Sequence, residues 1–261
     1  MDIKIENIPI ERKTEARFLG VIIDEKLTWS KHIETIKSKM SRYLGIMHRI
    51  RNQLPMQARL QIYHSLKQSH LHFCSLVWGF AAKTYINSVF SKQKAGIRAV
   101  MDGYINFKYR KGEIPTHTKP FFTKNQILTV PSIIAKNSLI FMHKINNFPR
   151  SFPKSILELI PNNAPIPGSN YENSATWLEK YEFSCPQYRR SIFNKGPLLW
   201  MNPINQGIIE RASLLSIKAY KRSVNSLILT LQSNGNSEDW PNFLLFNIDG
   251  LRKSDRLKNQ N

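Results

Sequence analysis

SKHIETIKSKMSRYLGIMHRIRN, residues 30 to 52, carries the clearest periodic signal in the chain. Ile33, Ile36, Met40, Tyr43, Leu44, Met47 and Ile50 recur every three or four residues, which places them on one side of an amphipathic helix. Ser30 can cap its start, and Asn52 and Pro55 end it. The opposite side carries Lys31, Lys37, Lys39, Arg42, Arg49 and Arg51. Immediately downstream, Pro55 suits the first position of a second helix with Leu60, Tyr63 and Leu66 inward. The run Leu71, Phe73, Leu76, Val77 and Trp78 is expected to be buried. A third helix is predicted from about 84 to 101. It turns Ile86, Val89, Phe90, Ile97 and Val100 to one side and Lys92, Lys94 and Arg98 to another.

Upstream of this helical run the pattern changes. Ile3, Ile5 and Ile8 alternate with polar residues, and Phe18 to Ile23 is a short, β-branched apolar run closed by Asp24 and Glu25. These read as strands of a hairpin, an arrangement that is marginal in water unless it packs on something larger. Phe18, Val21 and Ile23 are therefore expected to be exposed if that larger body is absent. Downstream, Gly103, Gly112 and Pro115 mark a loop over 102 to 118, and Ile133, Ile134, Met142 and Ile145 mark a helix over 131 to 147. A series of prolines from Pro149 to Pro167 then breaks the chain. Tyr188 to Trp200 is expected to hold short strands, and Ser213 to Leu231 a last helix. The expected organisation is mainly α: a hairpin segment over 1–29, a basic helical domain over 30–150, a smaller mixed helical and short-strand region over 151–233, and a polar tail over 234–261.

Charge narrows the partner class. Thirty-eight Lys and Arg oppose eighteen Asp and Glu, a formal net charge of +20. Residues 35 to 101 contain no acidic residue, and only Asp102 and Glu113 interrupt the basic excess up to residue 150. Such a segment repels itself unless anions lie nearby, which points to nucleic acid or another polyanion. Two cysteines, Cys74 and Cys185, cannot build a disulfide framework and suit a reducing, intracellular setting in nucleus or cytoplasm. No run of about 18 apolar residues exists, so no membrane partner is expected.

Other chemistry is thinly represented. His70, His72 and Cys74, with His64 nearby, have metal-ligand side chains, and in an extended segment the alternate residues would share a face. A structural zinc site takes four ligands, and a fourth is not evident. Cys185 stands far from any histidine that could activate it, and there is no Gly-Lys-Ser/Thr phosphate loop and no G-x-G-x-x-G. Tyr104, Phe107 and Tyr109 alternate with Lys108, Arg110 and Lys111, which suits stacking on unpaired bases or anchoring of a loop on the core.

FLGVIIDEKLTWSKHI, residues 18 to 33, resembles the stretch that joins palm to thumb in non-LTR (LINE-type, Jockey-like) retrotransposon reverse transcriptases. Phe18, Leu19, Gly20, Val21 and Asp24, then Leu27, Trp29, His32 and Ile33, match its two motifs in order and spacing. Arg49-Ile50-Arg51, Tyr63 to Ser65, Val77-Trp78-Gly79 and Gln93-Lys94 to Arg98 follow in the expected order. Gly196-Pro197-Leu198-Leu199-Trp200 resembles a late motif of that family, from which Met201, Asn202 and Ile204 depart. The likeness runs over roughly residues 3 to 231.

The resemblance implies a palm-edge hairpin, a helical thumb-like bundle and the region after it. In such polymerases an Asp-Asp turn of the palm holds divalent metal ions at the primer end. Asp2, Asp24 and Asp102 are each isolated here, and the resemblance places Asp24 after the catalytic turn, so no catalytic residue and no metal or cofactor are assigned to this chain. What it implies instead is a fragment, inactive alone, that binds an RNA–DNA or DNA duplex. Its phosphate-contacting set is Lys37, Lys39, Arg42, Arg49, Arg51, Lys92, Lys94 and Arg98, with the missing palm and fingers as a protein partner. The competing expectations are a helical protein-interaction module reused by a host, and an intact nuclease or polymerase with an unrecognised metal site, against which the scattered acidic residues speak.

Overall fold

In a computed structural model of the chain, the described residues are 4–5, 8–9, 11–50, 52–101, 118–157 and 216–234. They are mainly helical behind an N-terminal hairpin, as the periodicity predicts. Arg51, all but the last residue of the loop expected over 102–118 with its aromatic–basic stretch, the expected strands at 188–200, Cys185 and the tail beyond Asn234 lie outside them.

The amino-terminal segment makes two antiparallel pairs, β1 (Lys4–Ile5) with β2 (Ile8–Pro9), and β3 (Glu15–Phe18) with β4 (Val21–Asp24). The apolar run 18–23 is therefore not one strand. It folds back at Leu19 and Gly20, whose φ values of 46° and 85° are both left-handed, the conformation a tight hairpin turn requires. Val21 is buried and Ile23 half-buried, because β4 packs on the first helix, whereas Phe18 remains 63% exposed.

Asp24 organises the connection that follows. Its carboxylate accepts the Thr28 N–H at 2.9 Å, the Thr28 hydroxyl at 3.1 Å and the Trp29 N–H at 2.7 Å. Partial burial opposes its charge, but these bonds and the Lys26 N–H outweigh that and hold its carboxyl below the usual carboxylate range. The bonds fix a bend in which Leu27 and Trp29 both adopt positive φ. Ser30, expected to cap the helix from outside, is instead its first residue, and its hydroxyl accepts from that of Thr28. His32, buried a turn later, accepts the Ile22 N–H at 3.4 Å and ties the helix to β4.

Helix α1 (Ser30–Ile50) buries Ile33, Ile36, Met40, Tyr43 and Met47 against α5 (Lys83–Val100), which buries Ile86, Val89, Phe90, Ile97 and Val100 in return. Between them, α2 (Met56–Ile62) runs into a π-helical segment, Tyr63–Gln68, and then α3 (Ser69–His72). The wider i→i+5 turn rotates the inward face. Tyr63, Lys67 and Leu71 are fully buried, whereas Leu66, expected inside, is exposed. A left-handed Cys74 (φ 47°) separates α3 from α4 (Ser75–Trp78). That kink sends Leu71 and Trp78 inward and leaves Phe73 and Val77, also expected inside, largely exposed. The Trp78 indole N–H donates to the Phe73 carbonyl at 2.9 Å. Gly79 then lets the chain back onto Ile134, whose side-chain carbons lie 2.7 and 2.8 Å from where a Cβ would stand.

The rest of the core comes from α6 (Lys119–Lys124), α7 (Val130–Asn147) and α9 (Ile217–Asn234), with α8 (Lys154–Leu157) packing Leu157 partly buried against it. Helix α7 starts at Thr129, whose hydroxyl accepts the Ser132 N–H. Ahead of it, residues 127–130 are buried without helical partners, and two glutamines satisfy them. Gln93 donates to the Leu128 carbonyl and accepts the Val130 N–H, each at 2.9 Å. Gln232 donates to the Ile127 carbonyl at 2.9 Å and accepts the Thr129 N–H at 3.0 Å. Helix α9 thus joins the same core, with Tyr220, Val224 and Ile228 buried and the Tyr220 ring stacked on His143 at 3.8 Å.

Candidate nucleic-acid interface

Beyond Glu34 the described helices carry no carboxylate side chain at all. Every acidic residue among the described residues lies between Glu11 and Glu34. The ion pairs among them are confined to that region: Arg12 with Glu25, Lys13 with Glu11 and Lys31 with Glu34, all with exposed partners. The positive charge of the helical body is therefore not balanced by carboxylates among the described residues.

The basic residues named from the sequence are spread over more than one face. On α1, Arg42 and Arg49 are exposed and two turns apart, aligned within about 20° at 3.6 residues per turn. Lys37 and Lys39, both half-buried, are about 160° apart and flank that ridge on opposite sides. Lys39 and Arg42 share their flank with His70 of α3: burial first, and then these two cations, lower its pKa. On α5, Lys94 and Arg98 lie together, with the Lys94 ammonium 4.8 Å from the Phe90 ring centre. Burial, then Arg98, lowers the Lys94 pKa. Lys92 falls on the other flank, where its carbonyl accepts from Lys67. Arg51 lies outside the described residues.

The histidine–cysteine segment does not form a shared face. Residues 69–72 are helical, so His70 and His72 point about 160° apart, and Cys74 sits beyond the kink. No group of three possible metal ligands forms among the described residues. Asp24 is occupied at both oxygens by the hairpin-to-helix connection. Among the described residues no helix is long and apolar enough to cross a membrane.

Sequence pattern alone missed Lys136 and Lys221, and read His72 only as a possible metal ligand, because these three positions that the fold brings near one another belong to helices far apart in the chain. Burial and then Lys136 lower the His72 pKa, and burial and then Lys221 lower that of Lys136.

Comparison with known proteins bears on this basic, carboxylate-poor bundle. The chain is 26% identical over 100 residues to the probable RNA-directed DNA polymerase of the X-element transposon of Drosophila melanogaster, and 30% identical over 87 residues to that of the mobile element jockey from the same species. The chain resembles the RNA-directed DNA polymerases of non-LTR retrotransposons. The likeness extends to the probable polymerase of transposon BS, at 24% identity over 105 residues. Each match covers about a third of this chain, 37%, 32% and 38% in turn, and about a tenth of the relative's length, 11%, 10% and 11%. No family model and no solved structure matches.

Proposed function

We propose that this chain is a fragment of a retrotransposon RNA-directed DNA polymerase that holds a template–primer duplex by its phosphates. The observation that carries the reading is the carboxylate-free run of described helices beyond Glu34. A regular polyanion suits such a run of cations, and binding it releases condensed ions. The grip is sequence-independent, because lysine and arginine on helices address backbone and not base edges. Arg42 and Arg49 form its ridge, with Lys39 and His70 beside them and Lys94 and Arg98 on α5. Divalent metal chemistry belongs to the parent polymerase, since this chain has no adjacent Asp pair. Phe18 and Leu19, 63% and 79% exposed, stand beside Phe73 across Gly20 and give an apolar knob on which the palm and fingers of the polymerase dock.

The test is binding of the chain to an RNA–DNA hybrid over a salt series, beside the variant R42E/R49E. Tight binding that falls steeply with salt and collapses in the variant supports the grip. Weak binding with a shallow salt dependence, or binding that the variant retains, favours a module that binds protein through the Phe18–Leu19–Phe73 knob.

A further inference from the structure

Three elements distant in sequence meet around Lys136. Its ammonium, on half-buried α7 surface, donates to the Asn225 side-chain oxygen of α9 at 2.7 Å. Asn225 is a neutral partner, so this bond orients the ammonium without cancelling its charge. Lys221 lies one turn before Asn225 on the same side of α9. From the other side comes His72, at the end of α3, which packs on α7. Next to Lys136, Asn137 donates to the Ser75 hydroxyl at 2.8 Å and joins α7 to α4, so the floor between these helices is fixed. Among the described residues, the groups placed near Lys136 here, Asn225, Lys221 and His72, include no carboxylate.

Holding two ammonium groups and an imidazole together with no carboxylate among the described residues beyond Glu34 is unfavourable, and half-burial of Lys136 removes some of the water that would screen them. Burial first, and then Lys221 for Lys136 and Lys136 for His72, disfavours the charged form of both groups. A phosphate oxygen placed between Lys136 and Lys221 reverses the sign of the interaction, and the Asn225 amide N–H2 is then a further donor to it.

We propose that His72, Lys136, Lys221 and Asn225 form a second phosphodiester-binding notch, separate in sequence and helix from the Arg42–Arg49 ridge. It takes a backbone phosphate of the bound nucleic acid, so it rests on the nucleic-acid reading above and extends it. The notch is built across α3, α7 and α9, and it makes the last described helix part of the binding surface.

The experiment uses the full chain and an RNA–DNA hybrid, with affinity measured from about 0.05 to about 0.5 M salt. The variant K136Q/K221Q is compared with K124Q/K154Q, which removes the same charge from exposed positions on α6 and α8. The expected result is a log–log salt slope about two units shallower in K136Q/K221Q, one for each lysine that no longer neutralises a phosphate, with about tenfold weaker binding at the low-salt end. K124Q/K154Q should change the slope by less than about half that amount. Melting curves establish that both variants fold. K221Q alone, at an exposed position that cannot disturb the core, should still lose about one unit of slope. Equal behaviour of the two double variants overturns the notch and leaves the nucleic-acid reading standing. A parent chain that binds the hybrid weakly and without salt dependence overturns both.

Discussion

Replacing Lys67 by methionine removes a charge from the centre of the bundle. The Lys67 side chain is fully buried. Its ammonium donates to the Lys92 carbonyl at 2.7 Å and lies 5.2 and 5.9 Å from the ring centres of Tyr43 and Tyr63. Gly96 makes room for it, since a Cβ there would collide with the lysine tip and stand 2.7 Å from its Cε. One carbonyl and two ring faces do not replace the water lost, so burial, and then Lys92, push its pKa from 10.5 down to about 7. Because the folded value is the lower one, the unfolded chain binds more protons between pH 7 and 10.5, and stability rises with pH across that window. The shift corresponds to about 5 kcal/mol of penalty once Lys67 is protonated, of which about 2 kcal/mol is relieved between about pH 7 and about pH 9. Methionine fills similar volume, carries no charge and suits a gap between aromatic rings. K67M should therefore be the more stable protein at about pH 7, and it should lack the extra gain of about 2 kcal/mol on going to about pH 9. Denaturant unfolding of both proteins at constant ionic strength, followed by circular dichroism, measures this. The histidines with lowered pKa titrate below the window and Tyr43, Tyr63 and Tyr220 are all raised, while Lys94 and Lys136, both lowered from 10.5, are present in the two proteins and cancel in the difference between their profiles. Parallel pH profiles for the two proteins would refute the reasoning.

Gln232→Leu should destabilise the fold by about 3 kcal/mol or more, because it strands the Ile127 carbonyl, the Thr129 N–H and a partner of the Ser132 hydroxyl in a buried setting; a denaturation midpoint within error of the parent would count against it. Gly79→Ala should cost about 1–3 kcal/mol or more, since the new methyl runs into the Ser75 carbonyl oxygen of α4 and meets Ile134 at 2.7 Å, so the backbone at the end of α4 must reshape as well as move away from α7. Differential scanning calorimetry would show a lowered Tm, and an unchanged Tm would mean that this packing has slack. Raising sodium chloride from about 0.05 to about 0.5 M should raise the Tm by several degrees, because screening relieves repulsion among cations of helices whose described residues beyond Glu34 hold no carboxylate; a Tm that falls with salt would show that attractive pairs dominate.

Helix periodicity made α1, α5 and α7 readable, because each has one long apolar stripe whose spacing survives packing. The predicted inward residues Ile33, Ile36, Met40, Ile86, Val89, Ile133 and Ile134 are buried. Reading failed where the backbone leaves its regular period. Nothing in YHSLKQ announces a π-helical turn, so the inward position passed from Leu66 to Lys67, a residue type that burial rules exclude. Cys74 in the left-handed region likewise reversed the expected burial of Phe73 and Val77. The motif residues of 18 to 33 were visible from the sequence, but their local work was not. Asp24 and His32 turn out to fasten a hairpin to a helix, through bonds that only three-dimensional proximity reveals. At the interface, charge bias was legible and charge placement was not. Lys37 and Lys39 share a helix but lie on opposite flanks, while Lys136 and Lys221 lie 85 positions apart and meet.

The clamp of Gln93 and Gln232 on residues 127–130 has a consequence for synthesis. A ribosome delivers Gln93 before that segment, so half of its partners are waiting when it emerges. The other half arrive only with residue 232, more than a hundred residues later. Until then the Ile127 carbonyl and Thr129 N–H must remain hydrated, and the start of α7 must stay open to water. A nascent or prematurely terminated chain is thus distinguishable from a finished one by whether this stretch exchanges its amide hydrogens, and a quality-control protease would meet its substrate there.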